Sequence, residues 1–114
     1  MTDVNSVVLV GRLVRDAELA YTQGGTCNAR FALAVSRSKK VGDDWKDEVS
    51  FIDIVYYGKA AENMKDRLIK GRQVIVKGSI RQSRWEKDGQ PHSKIEIVAE
   101  QVQIPSMAET ERGF

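Results

Sequence analysis

Five blocks of this chain carry the β-branched or alternating apolar pattern of strands, and one segment between the third and fourth follows a helical period instead. Residues 4–14, VNSVVLVGRLV, are rich in β-branched side chains and stop at Arg15-Asp16. Gly11 inside them predicts a bulge or sharp bend, a device that curls a sheet toward closure. Residues 18–22 continue that strand past the bend, and Gln23-Gly24-Gly25 makes a turn. The second strand, 26–37, alternates most cleanly, with Cys27, Ala29, Phe31, Leu33 and Val35 on one side and Asn28 and Arg30 on the other. SKKVGDDWKDE, residues 38–48, reads as a polar loop with Gly42 at its tip. In the third strand, 49–57, Ile52, Ile54 and Tyr56 share a core-like face, and Val49, Phe51, Asp53, Val55 and Tyr57 share the opposite one.

Residues 59–70, KAAENMKDRLIK, place Ala61, Met64 and Leu68 on one helical face, and Gly71 is a natural stop. A helix of about three turns is too short to stand alone, so it should cap the end of a sheet. The fourth strand begins after Gly71, with Val74, Val76 and Ile80 on one face and Ile75, Lys77, Ser79, Arg81, Ser83 and Trp85 on the other. EKDGQPHSK then reads as a hairpin loop. A fifth strand spans 93–104 and Pro105 ends it. Five strands with one helix between the third and fourth is the order of the OB-fold, a small, partly open Greek-key barrel. The expected organisation is one all-β domain over residues 1–105 with one short helix, then a short polar tail over 106–114.

Composition narrows the function classes. A chain of 114 residues suits one domain with a real core. Cys27 is the single cysteine, so no intrachain disulfide can form. The N-terminus lacks a basic segment ahead of a long apolar one, and no apolar run approaches the ~18 residues of a membrane span. A cytoplasmic protein with no membrane partner is therefore expected. Formal net charge is only +2, yet residues 67–94 collect eight Lys/Arg against Glu86 and Asp88. A local basic stripe on a near-neutral protein suits a polyanion, and it suits a solvated face equally well.

Catalysis finds few candidates. His92 stands alone in the Pro-flanked loop, Cys27 sits in an apolar strand face, and no His/Cys cluster has metal-ligand spacing. Asp43, Asp44, Asp47 and Glu48 lack the glycine and terminal glutamate of a calcium loop. No cofactor is implied.

Binding is better supported. Phe51, Tyr57 and Trp85 fall on faces turned from the core and are interleaved with Lys39, Lys40, Lys59, Lys77, Arg81 and Arg84. Aromatic rings with neighbouring cations suit a single-stranded nucleic acid, because rings stack on bases and cations neutralise phosphates. Each ring taken singly fits a core or subunit contact as well, and one bulge would invert the faces.

The segments NSVVLVGRLVRDAELAY, ALAVSRS and SFIDIVYYGKAAENMKDRLIKGRQVIVKGSIRQSRWE resemble the bacterial single-stranded DNA-binding protein (SSB) family over residues 4–104. The resemblance implies an OB-fold, assembled as a homotetramer, that wraps single-stranded DNA without sequence preference or catalysis during replication, recombination and repair. It implies stacking roles for Phe51, where tryptophan is frequent in the family, and for Tyr57 and Trp85. Lys39 stands near a position that is aromatic in some members, and Trp45 is a candidate replacement. Asp53 stands where some members carry a cation, and Ala17 replaces a usual proline. The ending also departs from the family. MAETERGF places Glu109 and Glu111 near Phe114, but Arg112 interrupts the acid, and the long linker that leads to a tip recruiting replication and repair proteins is missing. A tail-less paralogue and a truncated chain both fit.

Phe51, Tyr57 and Trp85 are thus expected to stack bases, with Lys39, Lys59, Lys77, Arg81 and Arg84 on phosphates. The alternative is an OB-fold accessory module that contacts a replication or primosome protein, its rings serving as protein hot spots.

Overall fold

The computed structural model describes residues 2–105. Six strands, β1 (Val7–Leu13), β2 (Glu18–Tyr21), β3 (Cys27–Val41), β4 (Asp44–Tyr57), β5 (Gln73–Lys87) and β6 (Gln90–Gln103), form one sheet in the order β1-β5-β6-β4-β3-β2. Arg12 opposite Ala34 and Leu13 opposite Leu33 pair β1 with β3 as well, closing five strands into a barrel. The short β2 hangs outside that ring on β3. Helix α1 (Lys59–Met64) and a 3-10 turn at Lys65–Arg67 link β4 to β5. With β2 counted apart, this is the expected OB-fold order.

Closure depends on close backbone approach. A Cβ on Gly11 would lie 2.5 Å from the carbonyl oxygen of Ala34, so only glycine lets β1 meet β3 there. Gly11 is not itself a bulge, since its pairing with Val74 is in register with its neighbours. The irregularity lies between β5 and β6, where Lys77 faces Gln101 and Gly78 faces Ala99, leaving Glu100 unpaired. That extra residue lets Ile97, Ala99 and Val102 all point inward.

Alternation set most of the core, but Ile80, read on the apolar face with Val74 and Val76, is exposed where β5 leaves the barrel. Cys27, Ala29, Phe31 and Leu33 from β3, Ile54 and Tyr56 from β4, and Val74 and Val76 from β5 are buried together. Ala61 and Leu68 add the linking segment to this core, and Met64 packs against it. The α-helix stops at Met64, short of the predicted residue 70, because the chain beyond it is drawn to the β1–β2 link. The Ala17 amide donates to the Leu68 carbonyl at 2.9 Å, and the Lys70 amide donates to Asp16 Oδ1 at 2.8 Å.

Both predicted loops are instead strands. β3 and β4 continue through residues 38–48 as a paired ribbon, Lys39 opposite Lys46 and Lys40 opposite Trp45. Gly42, the expected tip, turns it with φ +66. β5 likewise runs on to Lys87 and β6 begins at Gln90, joined by Asp88 and Gly89, both at positive φ as a two-residue hairpin turn demands. A ribbon solvated on both faces carries no apolar alternation, so its sequence looks like a loop. These arms give a radius of gyration of 16.4 Å, against about 13 Å for a compact domain of this length.

Candidate nucleic-acid interface

Strands β3, β4, β6 and β5 present one continuous outer face. Register places Tyr57, Val55, Asp53 and Phe51 on it from β4, beside Asn28, Arg30, Ala32 and Ala34 from β3. The parallel pairing of Val55 with Val98, and of Val98 with Ser79, carries the same face onto β5, where Arg81, Ser83 and Trp85 follow by alternation. All three aromatics read from the sequence therefore lie on one side of the sheet. Phe51 is 68 % exposed and Trp85 44 %, while Tyr57 is half-buried. Trp45, also exposed, shares this face farther out on the β3–β4 arm, across from Lys40.

At the centre lies a charged node. Glu96 is the one buried charged side chain among the described residues, at 1 % exposure. Its carboxylate accepts from Arg81 Nη2 at 2.7 Å and from Arg30 Nη1 at 3.3 Å. Arg81 Nη2 also donates to the Tyr57 hydroxyl at 2.7 Å, and its guanidinium carbon sits 5.6 Å from the Tyr57 ring centroid. Burial alone would raise the Glu96 pKa, but the hydrogen bond from Arg81 and the charges of Arg30, Arg81 and Lys94 outweigh it and hold it below the ordinary range. The same bond with Glu96, then that with Tyr57, raises the Arg81 pKa. Val55 is also buried on this face, next to Arg30 and Val98 in the ladder.

Trp85 has a partner too. Its ring stacks on His92, opposite it on β6, with centroids 5.7 Å apart and planes 18° apart. His92, read as lying in a loop, is a strand residue whose ring supports the indole.

The predicted cations separate into groups. Arg81 belongs to the node, and Lys77 points outward near Val8 of β1. Lys59 opens α1 next to Gly58, one residue past Tyr57. Arg84 alternates with Trp85 and so takes the opposite face of its arm, where Nη2 bonds Gln82 Oε1 at 2.6 Å. Lys39 also takes the face opposite Phe51, and its Nζ lies 3.8 Å from Glu48. Asp53 is paired with Lys94 at 3.5 Å, so its charge on the interface is compensated. Sequence reading passed over Arg30, Glu96 and Lys94 as functional residues. The signal for Arg30 was present in its parity on β3; a lone glutamate in an exposed-looking strand gave none for Glu96.

A model of the single-strand binding protein family matches residues 4–105. The chain belongs to this family. Among its relatives, a single-stranded DNA-binding protein of Treponema pallidum is 57 % identical over 104 residues, covering 91 % of this chain and 59 % of the relative. One from Borreliella burgdorferi is 42 % identical, over 91 % of this chain and 71 % of its own length. This SSB-family chain thus spans somewhat less than two thirds of the Treponema relative. Its fold superposes on a Plasmodium falciparum SSB solved in complex with ssDNA, with a TM-score of 0.77, 28 % identity, and coverage of 87 % of this chain and 88 % of the other.

Among the described residues of this SSB-family chain, no group of three or more His, Cys, Asp or Glu could hold a metal ion. No helix among the described residues is long and apolar enough to cross a membrane. The terminal Glu109, Glu111 and Phe114, considered above as a recruiting tip, lie outside the described residues.

Proposed function

We propose that this chain binds single-stranded DNA without sequence preference and shields it during replication, recombination and repair in the cytoplasm. The observation that carries this reading is the placement of Phe51, Tyr57 and Trp85 on one face of a closed OB barrel, beside the Arg30–Glu96–Arg81 node. Every base has a π-face, so rings spaced along a sheet accept any sequence, at roughly 1–3 kcal/mol per stacked base. Membership of the SSB family supports the same reading. No chemical step is needed: binding alone protects the strand.

Self-association fits the other side of the barrel. Val8 and Val10 are exposed on β1, whose Val7–Val10 stretch, among the described residues, pairs only with β5 and leaves its second edge open. A second copy pairing along that edge would cover both valines and remove a bare strand edge. This supports the homotetramer that the family resemblance implies.

The test is a fluorescence titration on a Trp45→Phe chain, so that Trp85 is the sole indole. Oligo(dT) should quench it strongly, less so at higher salt, and duplex of equal length should leave it nearly unchanged. No response to oligo(dT), with no binding seen by anisotropy of labelled DNA, would overturn the proposal.

A further inference from the structure

Glu96 is an odd residue to find at the centre of a surface meant for a polyanion. A carboxylate there repels phosphate, and its side chain is fully buried, where an ionised group is tolerated only if paired. Its pairing is complete: one oxygen accepts from Arg81 and the other from Arg30. Arg81 is half-exposed and bridges from β5 over β6 to the Tyr57 hydroxyl and ring of β4. An arginine with no anchor would sample many rotamers, and Tyr57 would lose the contact that fixes its ring.

We propose that Glu96 is a positioning residue of the interface: it clamps Arg81 beneath Tyr57 and Arg30 beside them, so that Tyr57 meets a base already held in place. The arrangement spends the positive charge of two arginines on one carboxylate, leaving a net single charge at the node. Lost phosphate attraction is exchanged for preorganisation, which reduces the ordering required at binding. A cation against one side of the Tyr57 ring leaves the other side for a base. This inference rests on the reading of the face as a single-strand interface, and it predicts a behaviour that reading alone does not.

The variant is Glu96→Gln in the full 114-residue chain. Gln replaces one of the two accepting oxygens by an NH2 group, a donor that cannot accept from a guanidinium, so the arginine facing it is released. Released arginines are free to pair with phosphates, and each added ion pair steepens the log K against log salt slope by about 0.7 for single strands. At high salt that gain is screened, and the misplaced Tyr57 should weaken oligo(dT) binding roughly 5- to 30-fold, the effect of losing about 1–2 kcal/mol of stacking. Wild-type and variant lines should therefore cross. An unchanged slope with unchanged high-salt affinity would overturn the proposal, and so would tighter binding at every salt concentration, the mark of a simple charge brake.

Two further measurements guard against a variant that fails to fold. Tyr57→Phe keeps the ring and removes the hydroxyl acceptor; it should lose a few-fold in high-salt affinity with no change of slope, and equal affinity would overturn the clamp. Without any DNA, the Arg81 guanidinium N–H protons of the wild type should give resolved, slowly exchanging NMR signals. Free rotation of Arg81 would overturn the inference while leaving single-strand binding intact. Failure of the wild type to bind oligo(dT) would overturn both.

Discussion

Trp85 and His92 face each other across β5 and β6 with ring planes only 18° apart, so one side of the indole is already occupied before any ligand arrives. The imidazole works as a backing plate: it restrains the indole and leaves its other side for a base. Aromatic pairs of this kind contribute about 0.5–1.5 kcal/mol beyond area burial. His92→Ala should therefore weaken oligo(dT) binding roughly 2- to 10-fold, less than Trp85→Ala, with the unfolding midpoint almost unmoved. Anisotropy titrations with both variants check the ranking.

Phe51 and Lys39 make a contrasting pair, both exposed but on opposite faces of the β3–β4 ribbon. Phe51→Ala should lower single-strand affinity by about 5- to 150-fold, the equivalent of one stacked base. Lys39→Ala should change it by less than about twofold, since this lysine faces away and neighbours Glu48. A large loss for Lys39→Ala would mean that the strand wraps both sides of the arm. Neither variant should unfold the barrel.

Gly78 answers a different constraint. A Cβ at this position would collide with the carbonyl oxygen of Val98, where β5 presses on the bulged β6. Gly78→Ala should destabilise the barrel by about 1–3 kcal/mol, the usual range for forced overpacking. Urea unfolding followed by far-UV circular dichroism measures it, and an unchanged midpoint would show that the β6 bulge absorbs the methyl group.

Acid should act through Glu96. Its folded-state pKa lies below the unfolded value, so its contribution is present in full above the unfolded pKa and is lost as pH falls through the folded one. Wild type should lose stability faster than Glu96→Gln between about pH 5 and pH 3, while the two profiles run parallel near neutrality. Urea midpoints across that range provide the comparison; parallel curves throughout would show that protonating Glu96 costs the fold nothing.

Legibility in the sequence followed the presence of a buried layer. Cys27 to Leu33 could be assigned from alternation because one face of β3 enters the core. Tyr57 could be assigned for the converse reason, since it follows the buried Tyr56, and Phe51 and Trp85 by carrying the same parity outward along β4 and β5. Residues 38–48 and 86–92 could not, because both faces of each arm meet water and polar residues fill both parities. The bulge at Glu100 left no mark, since one skipped residue among polar neighbours looks like any other. Glu96 was hidden for a deeper reason: its burial comes from Arg30 and Arg81, residues 66 and 15 positions away.

The two arms divide the molecule by how readily its backbone opens. Around the barrel, ladder hydrogen bonds are shielded by the core and should exchange with deuterium only through global unfolding. Beyond about Ser36 on one arm and Ser83 on the other, paired strands have no second layer, and a lone hairpin is marginal in water. Tyr57 and the Glu96 node thus stand on the stiff part, Phe51 at its margin, and Trp85 and Trp45 on compliant ribbons. A surface fixed at its root and yielding at its tips can keep several rings in contact with an irregular, unpaired strand while that strand shifts its course.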